Sequence, residues 1–313
     1  MSLSQIAFLF PGQGSQALGM GKELASLYPV ARRTFQEADD ALGFSISQLC
    51  FEGPIDQLKL TEITQPAILT TSVAVCRILQ EKGITPQIVA GHSLGEYSAH
   101  VAAGALQFAD AVRTVRNRGR YMQEAVPAGQ GAMAAILFMP PDQVVQVCKD
   151  AAQGEVVSPA NINSPSQIVI SGATNAVKRA ADLALERGAK KAVMLEVSAP
   201  FHCAMMQPAQ DRLARDLQAL SFNDVNVPVI SNVDAEPKTD RDASRDALIR
   251  QVTGAVRWMD CVQKLIQLGA KTFVEVGPGT VLTGLMRQID RMQSALNVNN
   301  EDSLQKAVVA MKS

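Results

Sequence analysis

The chain has 313 residues, 47% of them hydrophobic and 19% charged, with a formal net charge of -1. That length suits one large domain or two moderate ones around a sizeable core. A near-neutral balance without a charged tail gives no field to draw in nucleic acid, so any anion site must be local. The five cysteines are scattered and contain no C-x-x-C pair, the pattern of a reduced compartment; with only three histidines they give no metal-ligand spacing. The first residues lack a basic segment ahead of a hydrophobic stretch and cleavage site. The longest apolar run worth inspecting, 132–139, is far too short to span a bilayer. The expectation is a cytoplasmic monomer with no metal, no nucleic acid and no membrane among its partners.

In chain order, the apolar run 6–10 stopped by Pro11-Gly12 predicts a strand buried on both faces, as in a parallel sheet. Helical spacing follows over 20–27 and 30–42, with Gly43 as C-cap, and again over 66–82, ending at Gly83. A short strand at 88–90 leads directly into Gly91-His92-Ser93-Leu94-Gly95 and another helix. From 126 to 197 the rhythm changes: strand 132–138, a helix opened by Pro140-Pro141, strands 156–162 and 167–171, helix 175–187, strand 191–197. That β-α-β-β-α-β order is the split ferredoxin-like unit. Helices near 207–220 and 243–251 then alternate with strands 227–231 and 272–276. The fold class expected is α/β: a large α/β-hydrolase-like domain with a parallel sheet (1–125 and 199–313) carrying an inserted small ferredoxin-like domain (126–198).

The G-x-S-x-G pentapeptide arises by chance in a chain this long about one time in ten. Its position between strand and helix is what a nucleophile elbow requires: the glycines permit a tight turn that lifts the Ser93 hydroxyl, and the helix N-terminus aims amides at developing negative charge. A serine needs a base. His92 is adjacent in the turn, and His100 lies about two turns along the helix, too far to reach back. His202, in a loop after the last small-domain strand, is left. No acidic residue stands out to orient it; the partner could equally be a backbone carbonyl or an amide side chain.

The predicted helix 109–123 holds Arg113, Arg116, Arg118 and Arg120. At about 100° per residue, three face solvent, whereas Arg118 falls among Ala111, Val115 and Met122 on the apolar face. A guanidinium aimed into a core needs an anion. A structural salt bridge is one solution, and a substrate carboxylate is another. A charge-assisted bond of about 1.5–3 kcal/mol would then favour a dicarboxylic acyl group roughly 10- to 150-fold. Gly12-Gln13-Gly14-Ser15-Gln16-Ala17 also matches a dinucleotide fingerprint, but the region that should supply its second strand and acidic residue is helical in pattern. A glycine loop presenting backbone amides beside the serine fits better. Gly277-Pro278-Gly279 reads as a structural strand-to-helix turn.

These residues together resemble the malonyl-CoA:acyl carrier protein transacylases over nearly the whole length. The matching segments are Phe10-Pro11-Gly12-Gln13-Gly14-Ser15-Gln16, Thr64-Gln65-Pro66-Ala67, Gly91-His92-Ser93-Leu94-Gly95-Glu96-Tyr97, Asn161-Ile162-Asn163-Ser164-Pro165 and Glu275-Val276-Gly277-Pro278-Gly279. The resemblance implies Ser93 as nucleophile, His202 as base, Arg118 as carboxylate clamp, and an oxyanion hole from the amides of Gln13 and Leu94. It also implies that the carbonyl of Gln251 orients the histidine and that Gln65 lines the pocket. The implied reaction moves malonyl from malonyl-CoA to holo acyl carrier protein through a malonyl-serine ester, supplying fatty acid synthesis with no cofactor. Where relatives often carry Asn-Pro-Val before Trp258, this chain has Gly254-Ala255-Val256; Phe201, ahead of His202, suits a small unbranched acyl group. The alternatives are a serine thioesterase or esterase using the same elbow, and a non-catalytic partner of acyl carrier protein.

Overall fold

The computed structural model describes residues 5–197 and 199–312. Among the described residues, ten strands form two sheets: β1 (Gln5–Phe10), β2 (Ile88–Gly91), β3 (Gly131–Leu137), β4 (Val157–Ser164), β5 (Gln167–Ala173), β6 (Lys191–Met194), β7 (Val229–Ile230), β8 (Pro237–Lys238), β9 (Ala270–Val276) and β10 (Ser294–Val298). The larger sheet runs β10-β9-β1-β2-β7-β8. It is parallel from β10 to β7, and only the two-residue β8 runs against its neighbour. The central strand β1 is buried from Ala7 to Phe10, and β2 along its whole length, as continuous apolar runs in a doubly covered sheet must be. On one face pack the long helix Thr61–Glu81 and its neighbours Pro29–Leu42 and Phe108–Glu124; on the other, the helices Trp258–Gln267 and Val281–Ile289 cover Ala7, Leu9 and Phe273.

Residues 131–194 build the second sheet, antiparallel throughout in the order β4-β5-β3-β6. Helices Pro141–Ala152 and Thr174–Glu186 bury Val144, Val147, Val177 and Ala180 against it in a core of its own. This is the expected β-α-β-β-α-β order. Its edge strand β4 is bound to the larger body: Val256 N–H donates to Ala160 O at 2.8 Å, and Ile162 N–H donates to Val256 O at 2.9 Å. Ser198, at the expected junction of the two units, lies outside the described residues.

Several elements differ from expectation for identifiable reasons. The helix expected from Pro66 starts at Thr61, so Pro66 sits inside its second turn. The ring removes one backbone donor, a loss that tertiary packing covers, since every residue from Thr64 to Cys76 is buried. The last small-sheet strand stops at Met194 instead of 197, because Leu195, Glu196 and Val197 leave the sheet to line a cavity. The strand expected at 227–231 pairs only at Val229 and Ile230. The edge strand β10 and the helices Ile46–Glu52, Trp258–Gln267 and Glu301–Lys312 were not expected, although Trp258, Cys261, Val262 and Leu265 recur at helical spacing on one buried face.

Behind the glycine turn after β9, the carboxylate of Glu275, fully buried, caps the helix Val281–Ile289. Its oxygens accept from Leu282 N at 3.0 Å, Thr283 N at 2.8 Å and Thr283 Oγ1 at 2.8 Å. The helix N-terminus and these donors favour the charged carboxylate that burial disfavours. Replacing Glu275 by Ala orphans the amides of Leu282 and Thr283, while the Thr283 hydroxyl keeps Leu296 O at 3.3 Å, and is expected to cost about 2 kcal/mol or more, measured by urea unfolding. A loss under about 1 kcal/mol would contradict this account.

Candidate active site

The loops leaving β1 and β2 meet at the C-terminal edge of the parallel sheet, where α/β folds bind ligands. After Gly91 the chain turns sharply and enters the helix Gly95–Ala102. At the apex Ser93 has φ of +51°, a left-handed conformation that costs a non-glycine residue about 1–3 kcal/mol. The turn is held on both sides. A Cβ on Gly91 would lie 1.9 Å from the Gly95 backbone, and one on Gly95 would lie 2.0 Å from Phe10 O. Asn232, after β7, locks the apex: its Oδ1 accepts from Ser93 N–H at 2.8 Å while its Nδ2 donates to Gly91 O at 2.8 Å.

The Ser93 hydroxyl lies 2.7 Å from His202 Nε2. His202 also has positive φ, +60°, in the loop before the helix Gln207–Ala219. Its Nδ1 is 2.9 Å from Gln251 O, an acceptor only, so Nδ1 carries the proton and Nε2 accepts from the serine. The alternatives left open for the orienting group resolve to a backbone carbonyl. Gly254-Ala255-Val256, the local departure, does not loosen that carbonyl. Gln251 N–H bonds back to Ala247 O at 2.9 Å, and Val256 is tied to β4. The other two histidines are elsewhere. His92 turns away from Ser93, its Nε2 2.8 Å from Asn163 Oδ1 and its ring 5.5 Å from that of Trp258. His100 is fully buried in the following helix, and burial pushes it down to about 3.

Arg118 is 1% exposed, on the inward face of the helix Phe108–Glu124. Among the described residues its three acceptors are all uncharged: Gln65 Oε1 at 2.8 Å from Nη1, and Gln251 Oε1 at 2.9 Å and Ser93 Oγ at 3.1 Å from Nη2. Its Nε has no partner among the described residues. The other arginines of this helix lie outside: Arg113 pairs with Asp110, Arg116 lies over Phe44, and Arg120 is exposed.

Ser93, His202, Arg118, Gln65, Gln13 and Leu94 line one cavity of about 440 Å³, with Phe201 in its wall. Gln251 is fully buried behind it. The backbone amides of Gln13 and Leu94 donate to no acceptor among the described residues, so both remain available to a ligand. A nucleophile hydrogen-bonded to an oriented base, beside free amides, is the equipment of acyl transfer. With an unpaired cation alongside, the acyl group favoured is an anionic one.

Compared with known proteins, residues 7–308 match the sequence profile of the family described as "Acyl transferase domain". The chain belongs to the acyl transferase family. Within it, the chain is 51% identical over 311 residues to a malonyl CoA-acyl carrier protein transacylase of Bacillus subtilis, covering 99% of this chain and 98% of that one. A crystal structure of an acyl carrier protein S-malonyltransferase from Vibrio cholerae superposes with a TM-score of 0.96 at 49% identity, covering 97% of this chain and 100% of that one. A malonyl-transacylase solved in complex with a type II polyketide acyl-carrier protein gives a TM-score of 0.96 at 47% identity, with 98% and 100% covered. Similarity of this extent places the chain among the malonyl CoA-acyl carrier protein transacylases of that family.

Sequence reasoning missed Glu96 and Asn232, both fully buried beside the elbow. Glu96 had a visible signal: it is the only ionisable carboxyl in the apolar stretch from Ala90 to Ala109. Asn232 had none, because only the pairing of β7 with β2 brings it under the turn.

Burial pushes the His202 imidazole down to about 3, and the Arg118 charge adds to the effect. The depressed value keeps the base neutral as pH falls through the ordinary histidine range. The reaction of Ser93 with a neutral fluorophosphonate is therefore expected to show an acid limb well below pH 6.5. Arg118→Met removes the cation and should move that limb upward. A wild-type limb at 6.5 or above, or no upward movement in the variant, would count against this electrostatic picture.

Proposed function

We propose that this protein transfers malonyl from malonyl-CoA to the phosphopantetheine thiol of holo acyl carrier protein through a malonyl ester on Ser93. One observation carries the reading. A buried guanidinium with only neutral acceptors donates to the hydroxyl that is also bonded to the base, so the acyl carboxylate and the reacting carbonyl would be held side by side. In the first step Ser93 Oγ attacks the thioester carbonyl and its proton passes to His202 Nε2. The oxyanion rests against the amides of Gln13 and Leu94. The C–S bond breaks, and His202 returns the proton to the departing thiolate.

In the second step the carrier thiol gives its proton to His202 and attacks the ester carbonyl. The C–O bond then breaks, and the proton returns to Ser93 Oγ. Protons balance within the pair and no oxidation state changes, so the chemistry calls for no redox or metal group. Gln251 O keeps His202 in the tautomer that both steps need. Gln65 braces the Nη1 end of the clamp. We read 126–198 as a small unit inserted into the larger one, with the acyl donor entering between them, since the cavity takes residues such as Leu195 from beyond β6 and Leu94 from the elbow.

Intact-protein mass spectrometry after brief mixing tests the proposal. Malonyl-CoA should leave one malonyl group on the wild type and none on Ser93→Ala, and holo carrier protein should clear it. Arg118→Ala should lower the malonyl-over-acetyl loading preference roughly 10- to 150-fold, the value of one charge-assisted bond. Unchanged transfer by Ser93→Ala would sink the mechanism, and free coenzyme A accumulating without carrier protein would favour a hydrolase.

A further inference from the structure

Among the described residues Arg118 has no carboxylate as a hydrogen-bond partner, yet a bare guanidinium in a low-dielectric interior is costly enough to demand compensation. Behind it lies a second fully buried ionisable group. Glu96 sits on the first turn of the helix after the elbow, and its Oε2 accepts from Gln251 Nε2 at 2.7 Å and from Asn232 N at 3.0 Å. Gln251 is the link between the two. Its Nε2 donates to Glu96 and to Ser93 O at 2.9 Å, and its Oε1 accepts from Arg118 Nη2 at 2.9 Å. The shortest hydrogen-bonded route from Glu96 to Arg118 runs carboxylate, amide nitrogen, amide oxygen, guanidinium, and a longer one passes through Asn232 and Ser93.

We infer that Glu96 is the buried counter-anion of Arg118, acting through the Gln251 side chain, and is thereby a positioning residue for the acyl clamp. A carboxylate can only accept and a guanidinium can only donate, so the two charges, together with the Ser93 carbonyl, fix which way the amide points. With the amide oriented, its dipole lies with the negative end on the cation and the positive end on the anion, and each bond polarises the next. The same residue supplies the backbone carbonyl on His202 Nδ1, so one glutamine holds the clamp by its side chain and the base by its main chain. Glu96 therefore sets the orientation of the Nη2 group that faces Ser93 without touching the substrate. Burial raises the Glu96 carboxyl to about 7, with the bonds from Gln251 and Asn232 opposing the rise, so it is ionised on the alkaline side of neutrality.

The test is a double-mutant cycle at pH 8 with Glu96→Gln, Arg118→Met and the double variant, read in two ways. In thermal melts, Glu96→Gln should lower Tm in the wild-type background and leave it unchanged, or raise it, beside Met at 118, where no cation remains to compensate. In acyl loading, which rests on the function proposed above, Glu96→Gln should lower the malonyl-to-acetyl ratio roughly tenfold with Arg118 present, as loss of a charge-assisted bond predicts, and have no effect without it. A purely structural glutamate would lower malonyl and acetyl loading alike. Equal Tm losses in both backgrounds, or an unchanged ratio, overturns the inference. Should Glu96→Gln alone fail to fold, folding of the double variant supports compensation, and its failure where Arg118→Met folds overturns it. If neither donor loads wild-type protein, the acyl-transfer reading falls and the melting cycle alone decides on Glu96.

Discussion

A guanidinium taken out of water organises the centre of this protein. The Born cost of placing Arg118 at 1% exposure is several kcal/mol even after relaxation, and a bidentate partner carboxylate would offset it at once. Such a partner would also occupy the donors that an incoming acyl anion needs. The structure surrounds the cation with the oxygens of Gln65, Gln251 and Ser93, which satisfy its hydrogens without neutralising its charge. The Glu96 carboxyl lies one amide away, across Gln251. Charge is thereby stabilised enough to be buried and left strong enough to bind.

The elbow obeys a second constraint, steric instead of electrostatic. Ser93 keeps its left-handed backbone because the strand before it and the helix after it are in backbone contact at Gly91 and Gly95. Asn232 then takes up the serine's own amide, which leaves the next amide in the chain, that of Leu94, as the donor facing the cavity. Leu94 opens a helix whose dipole adds to that donor. Strain at one residue thus buys both an exposed hydroxyl and a free amide beside it.

Ser93, His202 and Arg118 were legible in the sequence because each violates a local expectation: a serine between two glycines at a strand end, a histidine left by elimination, an arginine on an apolar helix face. The α/β alternation and the β-α-β-β-α-β segment were legible because strand and helix periods differ. Gln251 was reachable only through resemblance, since a backbone carbonyl leaves no trace in residue type. Its side chain, together with Glu96 and Asn232, forms a layer that exists only where β2, β7 and two helices converge, and no spacing along the chain encodes that convergence. The start of the helix at Thr61 escaped for the opposite reason: Pro66 is a strong local signal that burial overrides.

The two sheets depend on each other through the same residues that hold the base. His202 is placed by Gln251 O, and the segment after Gln251 is stitched at Val256 to the edge of β4. Two residues beyond Val256, Trp258 is fully buried and lies against the ring of His92, which reaches back to Asn163 near the end of β4. Asn163 Nδ2 is itself spent on Gln167 Oε1 at 3.2 Å, so its oxygen has to face the histidine. The nucleophile's neighbour and the base's anchor are therefore both bonded to one strand of the smaller sheet. The hydroxyl and the imidazole, 2.7 Å apart, thus each have a neighbour that is bonded to β4. Arg118 shares part of that tie through Gln251 and Ser93, and its other holds, Gln65 and the helix Phe108–Glu124, belong to the larger sheet's side.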